Sequence, residues 1–202
     1  MNTPAHAIAN LLLLGRRQDR RELVAVTAGS LLPDMPIIWF YFQEKVLRGT
    51  PEMEIWRESY YREGWQVFFD LFNSLPILGL LVAAAWWLEG HRCAARPGRD
   101  GSRPLGLLFA SMAVHAVCDL PLHNDDGHRH FWPLSDWRFE SPISYWDPAH
   151  YGLWVALAEI ALVLVGSIWL YRFYQHRWGR ILVALIGASY LIYIGYVLVV
   201  WV

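Results

Sequence analysis

The sequence predicts an all-α, polytopic membrane helix bundle of about six hydrophobic helices, with an outward-facing loop rich in histidine and aspartate. Hydrophobic residues make up 55% of the 202-residue chain and charged residues only 17%, whereas about a quarter of the residues in soluble domains are charged. The 12 Trp and 10 Tyr residues are typical of aromatic belts at the two membrane interfaces. The length favours a single integral membrane domain that spans residues 1–202.

Hydrophobic segments predict the individual helices, because a spanning helix needs about 20 mainly apolar residues. In chain order the segments are 4–14, 23–42, 67–88, 104–120, 151–171 and 181–202. The first is too short to span alone, so we expect a half-helix or a buried N-terminal helix. Glu159 lies in the middle of an apolar segment, and the sequence leaves open whether it is hydrogen-bonded there or faces a site.

The distribution of arginine predicts the orientation. Arginines are concentrated in the loops near residues 16–21, 92–103 and 172–180, which should therefore be cytoplasmic. The alternate loops, 43–66 and 121–150, should then face outward. The lipid bilayer is thus an expected partner, whereas a formal net charge of −1 argues against nucleic acid.

Four ionisable side chains should meet near the outer face. His6 begins the inward-running first helix, Asp34 lies between two prolines in an outward-running helix, and His115 and Asp119 lie four residues apart near the end of another. Histidine and carboxylate are ligands of zinc and related ions. We predict that these four residues bind a divalent metal, with zinc expected first and manganese or magnesium as alternatives. A structural alternative is that Asp34 only caps the next helical turn.

A second group of polar residues should flank this metal site. Asp70 and Asn73 lie three residues apart on one helical face and are expected to complete or orient the metal shell. His123, His128 and His130 follow in the outer loop and are expected to move protons or hold a leaving phosphate. Alternatively, Asp70 is only an acidic residue near a helix N-terminus, where the helix dipole favours it, and His128 and His130 are solvated loop residues.

At these residues the chain resembles the bacterial family of membrane-bound metal-dependent hydrolases, which are small multi-helix inner-membrane proteins. The shared features are an early histidine, a Leu-Leu-Pro-Asp segment and a later His-x-x-x-Asp pair, here His6, residues 31–34, and His115 with Asp119. The chain is also loosely similar to zinc-dependent phospholipase C, in which such a pair precedes Pro and His, here Pro121 and His123. The resemblance covers roughly residues 1–135.

The chain departs from that family in its middle, where members commonly carry a His-Arg-Gly-x-Thr-His-Ser segment. Residues 70–74 read Asp-Leu-Phe-Asn-Ser in the comparable place. Two ligands expected from the resemblance are thus replaced by weaker ones.

The resemblance implies a membrane-embedded metal-dependent hydrolase that acts on a phosphoester or lipid-linked substrate at the periplasmic interface. The replaced ligands motivate an alternative, a non-catalytic membrane subunit or assembly factor of a larger complex. In that case loops 43–66 and 121–150 would dock a membrane-protein partner. A third interpretation is a small transporter with Asp34 and Glu159 on an ion path, but the sequence lacks the matching pair of broken segments that inverted repeats provide.

Overall fold

The computed structural model describes residues 1–16, 19–94 and 101–200, and within that part of the chain the prediction of an all-α bundle is confirmed. Three arginines used in the orientation argument, Arg17, Arg96 and Arg99, lie outside the described residues, as do residues 201–202. The α-helices in order are α1 (Thr3–Leu14), α2 (Arg20–Leu31), α3 (Met35–Phe42), α4 (Glu52–Glu54), α5 (Glu63–Asn73), α6 (Leu75–Ala94), α7 (Pro104–Asp119), α8 (Gly152–Phe173) and α9 (Arg177–Val200).

Within the described residues, five helical stretches are long and apolar enough to cross a membrane, and α1 is a shorter apolar helix, as the hydropathy pattern predicts. The stretches are Arg20–Leu47, Glu63–Cys93, Pro104–Leu122, Gly152–Phe173 and Arg177–Gly195. The first contains a 3-10 turn, Leu32–Asp34, between α2 and α3. Pro33 and Pro36 supply no backbone N–H for the helical ladder, so the backbone tightens there and Asp34 lies at the break.

Helix α7 is central, packed between α2 and α6, and α1 packs against α2 and α8. The contact between α2 and α7 is close at Gly29, where an added Cβ would overlap the carbonyl oxygen of Leu108 and lie 2.7 Å from Ser111 Cβ. Glycine at this position therefore lets the two backbones approach. The contact matters for function because the next residue, Ser30, faces the candidate site.

The predicted segment 67–88 is not one continuous helix, which corrects the sequence-based expectation. Helix α5 ends at Asn73, Ser74 is extended, and α6 begins at Leu75. Pro76 favours the first turn of a new helix because it has no N–H to donate. Residues at the break form hydrogen bonds with loop 121–150. Leu75 N donates to the His130 carbonyl over 2.8 Å, and Ser74 Oγ donates to the Trp132 carbonyl.

Loop 43–66 is largely helical. Its charged residues lower the hydropathy but do not interrupt helical structure. Phe40, Tyr60 and Phe69 pack together beneath it, with ring centroids 5.3–6.1 Å apart. The helical turns run over Gln43–Leu47, Glu52–Glu54 and Ile55–Ser59.

Candidate metal centre

His6, His115 and Asp119 meet in the interior, and each is at most 3% exposed. His6 Nε2 lies 2.9 Å from Asp119 Oδ1, and His115 Nε2 lies 3.1 Å from Asp119 Oδ2. The two imidazole rings stack with centroids 3.5 Å apart. One ligand atom from each residue lies within 4.8 Å of the other two, so α1 and α7 together present a compact set of two nitrogens and one carboxylate.

A backbone carbonyl fixes the His115 ring. His115 Nδ1 lies 2.8 Å from the Ser30 carbonyl oxygen, which can only accept, so Nδ1 carries the hydrogen. Nε2 then faces Asp119 and Asp34, whose Oδ1 is 3.4 Å away. In the neutral ring the Nε2 lone pair would point at two carboxylates, a repulsive arrangement that a proton or a metal cation relieves.

Asp34 lies beside this group of three. Its Oδ2 accepts a hydrogen bond from Thr3 Oγ1 over 2.5 Å, and its side chain is 18% exposed. The break between α2 and α3 therefore points a largely buried carboxylate at His115, as expected of an additional ligand or of a carboxylate that orients the ring. Asp119 also contacts the Met1 amino group, which lies 2.6 Å from its Oδ1.

The structure places Asp70 with Arg129 rather than with the histidines of α1 and α7. Asp70 Oδ1 accepts from the Arg129 backbone N–H over 2.9 Å, and Oδ2 accepts from Arg129 Nε over 2.5 Å. Arg129 Nη1 also donates to Glu63 (2.9 Å) and Asp136 (3.2 Å). Both carboxylate oxygens of Asp70 thus accept hydrogen bonds from Arg129. Asp70 therefore holds loop 121–150, which carries His128 and His130, against α5.

His123 links the central group to the outer loop. Its Nε2 lies 3.6 Å from Asp119 Oδ1, and its Nδ1 lies 2.9 Å from Asp126 Oδ2. Burial disfavours the charged ring, but the nearby carboxylates of Asp119 and Asp126 outweigh it and raise the pKa of His123 to about 9. His123 is therefore positively charged at neutral pH.

His128 and His130 extend this row of rings and have the opposite charge state. The His123–His128 and His128–His130 centroids are 5.7 and 6.0 Å apart. Burial lowers the pKa of both residues, that of His128 to about 3, so both are neutral at pH 7. His128 Nδ1, both ring nitrogens of His130 and the nearby Asn73 Oδ1 are buried without a hydrogen-bond partner among the described residues. Such groups cost about 1–3 kcal/mol each when unsatisfied, which suits them to contact a ligand or water.

The outer loop 121–150 folds back on itself beside these rings. Ser141 N donates to the His123 carbonyl (3.0 Å), and Ser141 Oγ donates to the Pro121 carbonyl (2.6 Å). Tyr145 N donates to the Leu122 carbonyl over 2.9 Å, and its ring centroid is 5.1 Å from that of His123. The second half of the loop therefore covers the first half and encloses His123.

Glu159 is hydrogen-bonded, which answers the question that the sequence leaves open. It accepts from Asn2 N over 3.1 Å and from Asn2 Nδ2 over 2.6 Å, and it is only 3% exposed. Asn2 precedes the first residue of α1 and makes no side-chain cap of its own. Glu159 thus anchors the start of the helix that carries His6. The apolar surroundings of Glu159 signalled a special role, but no sequence signal pointed to Asn2, Ser30 or Arg129.

A family model described as YdjM inner membrane protein matches residues 3–202 of the chain. The chain belongs to the YdjM inner membrane protein family. With its five candidate spans, this YdjM family member is a multi-pass inner membrane protein that lies in the lipid bilayer. No curated protein and no solved structure matches it. Its chemistry is therefore inferred from its own side chains.

Proposed function

We propose that this YdjM family member is a membrane-embedded metal-dependent hydrolase that acts on a phosphoester or lipid-linked substrate at the periplasmic interface. The observation that carries the proposal is the buried convergence of His6, His115 and Asp119 within 4.8 Å. Three protein ligands with a remaining open position are typical of catalytic zinc sites. Ionisable groups buried within membrane segments are costly and by default indicate a functional site.

The donor set fits a divalent metal. Two imidazole nitrogens and a carboxylate suit zinc, with manganese or magnesium as alternatives that favour oxygen ligands. Metal-binding histidines typically donate their other ring N–H to a backbone carbonyl, which orients the ring. His115 Nδ1 has such a contact with the Ser30 carbonyl. Asp34, 3.4 Å from His115 Nε2, would add a fourth ligand or orient the ring. A bound divalent ion would supply a water of lowered pKa, which is a nucleophile at neutral pH.

The neighbouring histidines support an anionic substrate. His123 carries a positive charge beside Asp119 and can donate a proton to a leaving oxygen. His128 and His130 offer buried ring nitrogens without partners among the described residues, and an N–H from either can hold a phosphate oxygen. Asp70 acts indirectly in this scheme, because through Arg129 it positions the loop that carries both rings.

The surface of the outer loop supports a substrate at the membrane interface. Leu134, Trp137 and Trp146 are 78%, 52% and 56% exposed, and tryptophan is enriched at headgroup depth. The alternative of a non-catalytic subunit would leave the group of His6, His115 and Asp119 without a use, so the hydrolase is the better-supported function.

An activity assay tests the proposal. Detergent-purified protein would be stripped of metal, reloaded with zinc, manganese or magnesium, and assayed with bis(p-nitrophenyl) phosphate and with phosphatidylglycerol vesicles. We expect metal-dependent hydrolysis of at least one substrate that falls to background in His115→Ala and persists in His176→Ala, which alters an exposed histidine in the turn before α9. Metal-independent hydrolysis, or equal rates in both variants, would contradict the proposal.

A further inference from the structure

Helices α8 and α9 form an apolar groove on the half of α8 that is remote from the candidate metal centre. Its volume is about 380 Å³, within the range of small-molecule sites, about 300–1,000 Å³. The α9 wall is built from small residues, including Ala184, Gly187 and Ala188, and an added Cβ at Gly187 would lie 3.4 Å from Ser167 Oγ on α8. The groove thus exists because the residues along α9 are small.

One end of the groove is positively charged. Arg172 lines it directly. The Arg180 guanidinium carbon lies 5.6 Å from the ring centroid of Tyr171, another lining residue, and Arg180 Nε donates to the Tyr174 carbonyl over 2.8 Å. That hydrogen bond fixes the Arg180 charge beside the groove. Residues 160–202 contain no Asp or Glu, so the parts of α8 and α9 that line the groove carry no carboxylate beside these arginines.

We propose that this groove binds one acyl chain of an anionic phospholipid, with the lipid phosphate at Arg172 and Arg180. An apolar slot that ends in two guanidinium groups matches both parts of such a lipid, and arginine is well suited to phosphate. The arginine-rich turn between α8 and α9 also belongs to the face we predict to be cytoplasmic, where basic clusters bind acidic headgroups. A lipid at this position holds α8 against α9 independently of the metal centre.

The competing occupant is a second copy of the chain, because small residues also allow close helix–helix packing. A two-fold interface brings the same patch from both copies together. Each copy would then add Arg172 and Arg180, while residues 160–202 of neither copy supply a carboxylate. The charge pattern therefore favours phosphate over a second copy.

Native mass spectrometry of the detergent-purified chain, incubated with equimolar phosphatidylglycerol and phosphatidylcholine, tests the proposal. We expect preferential retention of phosphatidylglycerol. The ratio of retained phosphatidylglycerol to phosphatidylcholine should fall about fivefold in Arg172→Gln, because one arginine near the headgroups contributes roughly 1 kcal/mol to the binding of acidic lipid. It should persist in Arg172→Lys and in Arg57→Gln, which alters an exposed arginine outside the groove. Gly187→Leu, which fills the groove, should reduce the retention of both lipids.

Two results would overturn the proposal. The first is equal retention of both lipids by the wild-type chain, or a preference that Arg172→Gln leaves unchanged. The second is a dimer that Gly187→Leu abolishes while Arg172→Gln has no effect on bound lipid, which would assign the groove to a second copy. Arg172 is exposed, so its variants report on lipid binding even if Gly187→Leu impairs folding.

Discussion

His6 and Asp119 are 113 residues apart in the sequence, yet His6 Nε2 lies 2.9 Å from Asp119 Oδ1. This contact joins the start of α1 to the end of α7. The second oxygen of Asp119 faces His115 on its own helix at 3.1 Å. Asp119 therefore contacts both histidines, and its position depends on the packing of α1, α2 and α7.

Gly29→Ala should destabilise the protein. The new methyl group would overlap the Leu108 carbonyl oxygen, and because that oxygen belongs to the backbone of α7, the helices must separate. We expect a cost of about 1–3 kcal/mol, measured as a lower Tm in detergent. The shift should also move the Ser30 carbonyl from His115 and weaken zinc binding about 10–100-fold.

Gly79→Ala is the matched control for Gly29→Ala. Gly79 also lies in a membrane helix, α6, but an added Cβ there meets nothing within 4 Å. Because alanine favours a helix over glycine by about 1 kcal/mol, Tm should stay the same or rise. Equal Tm values for the two variants would show that the approach of α2 to α7 is not tight at Gly29.

Asp70→Asn should unfold the outer loop without removing a metal ligand. Arg129 would keep its buried charge while losing its closest carboxylate, at a cost of about 3–5 kcal/mol. Asp136→Asn removes another carboxylate contact of Arg129, but the Asp136 side chain is 86% exposed, so little change is expected. Limited proteolysis of loop 121–150 and zinc content per folded chain would be measured. A loss of zinc from folded Asp70→Asn protein would instead make Asp70 a ligand.

Glu159→Ala should loosen the start of α1. Two donors on Asn2 would lose their acceptor, which costs about 1–3 kcal/mol, and zinc affinity should fall because α1 carries His6. Glu159→Gln keeps one carbonyl oxygen and should be intermediate. Ser189→Ala, which removes only a hydrogen bond to the Ile186 carbonyl on α9, serves as the control. A zinc affinity in Glu159→Ala equal to that of Ser189→Ala would argue against the anchor.

The spans and the meeting of His6, His115 and Asp119 could be anticipated from the sequence because both follow from a regular rule. Apolar length defines a membrane helix, and alternating helix direction sends each ionisable residue to the same end of the bundle. His115 and Asp119 also share a helix face at a spacing of four.

The remaining features depend on pairings between distant segments, for which a single sequence has no periodic signal. Arg129 meets Asp70, and Glu159 meets Asn2, across separations of 59 and 157 residues. The contact of Ser30 with His115 uses a backbone carbonyl, which is the same in every residue. The break at Ser74 is stabilised by hydrogen bonds to His130 and Trp132 of loop 121–150. Hydropathy has no information on these contacts and therefore predicted one continuous helix.

Zinc content tests the central claim most directly. Purified wild-type protein would be incubated with zinc and desalted, and its zinc content per chain would be measured by inductively coupled plasma mass spectrometry. The same measurement would be made on His6→Ala, His115→Ala, Asp119→Ala and the control His176→Ala. We expect about one zinc per chain in the wild type and in the control, since a three-residue set holds one ion, and strong depletion in the three site variants. Negligible zinc in every protein, or undiminished zinc in folded variants of all three site residues, would contradict it.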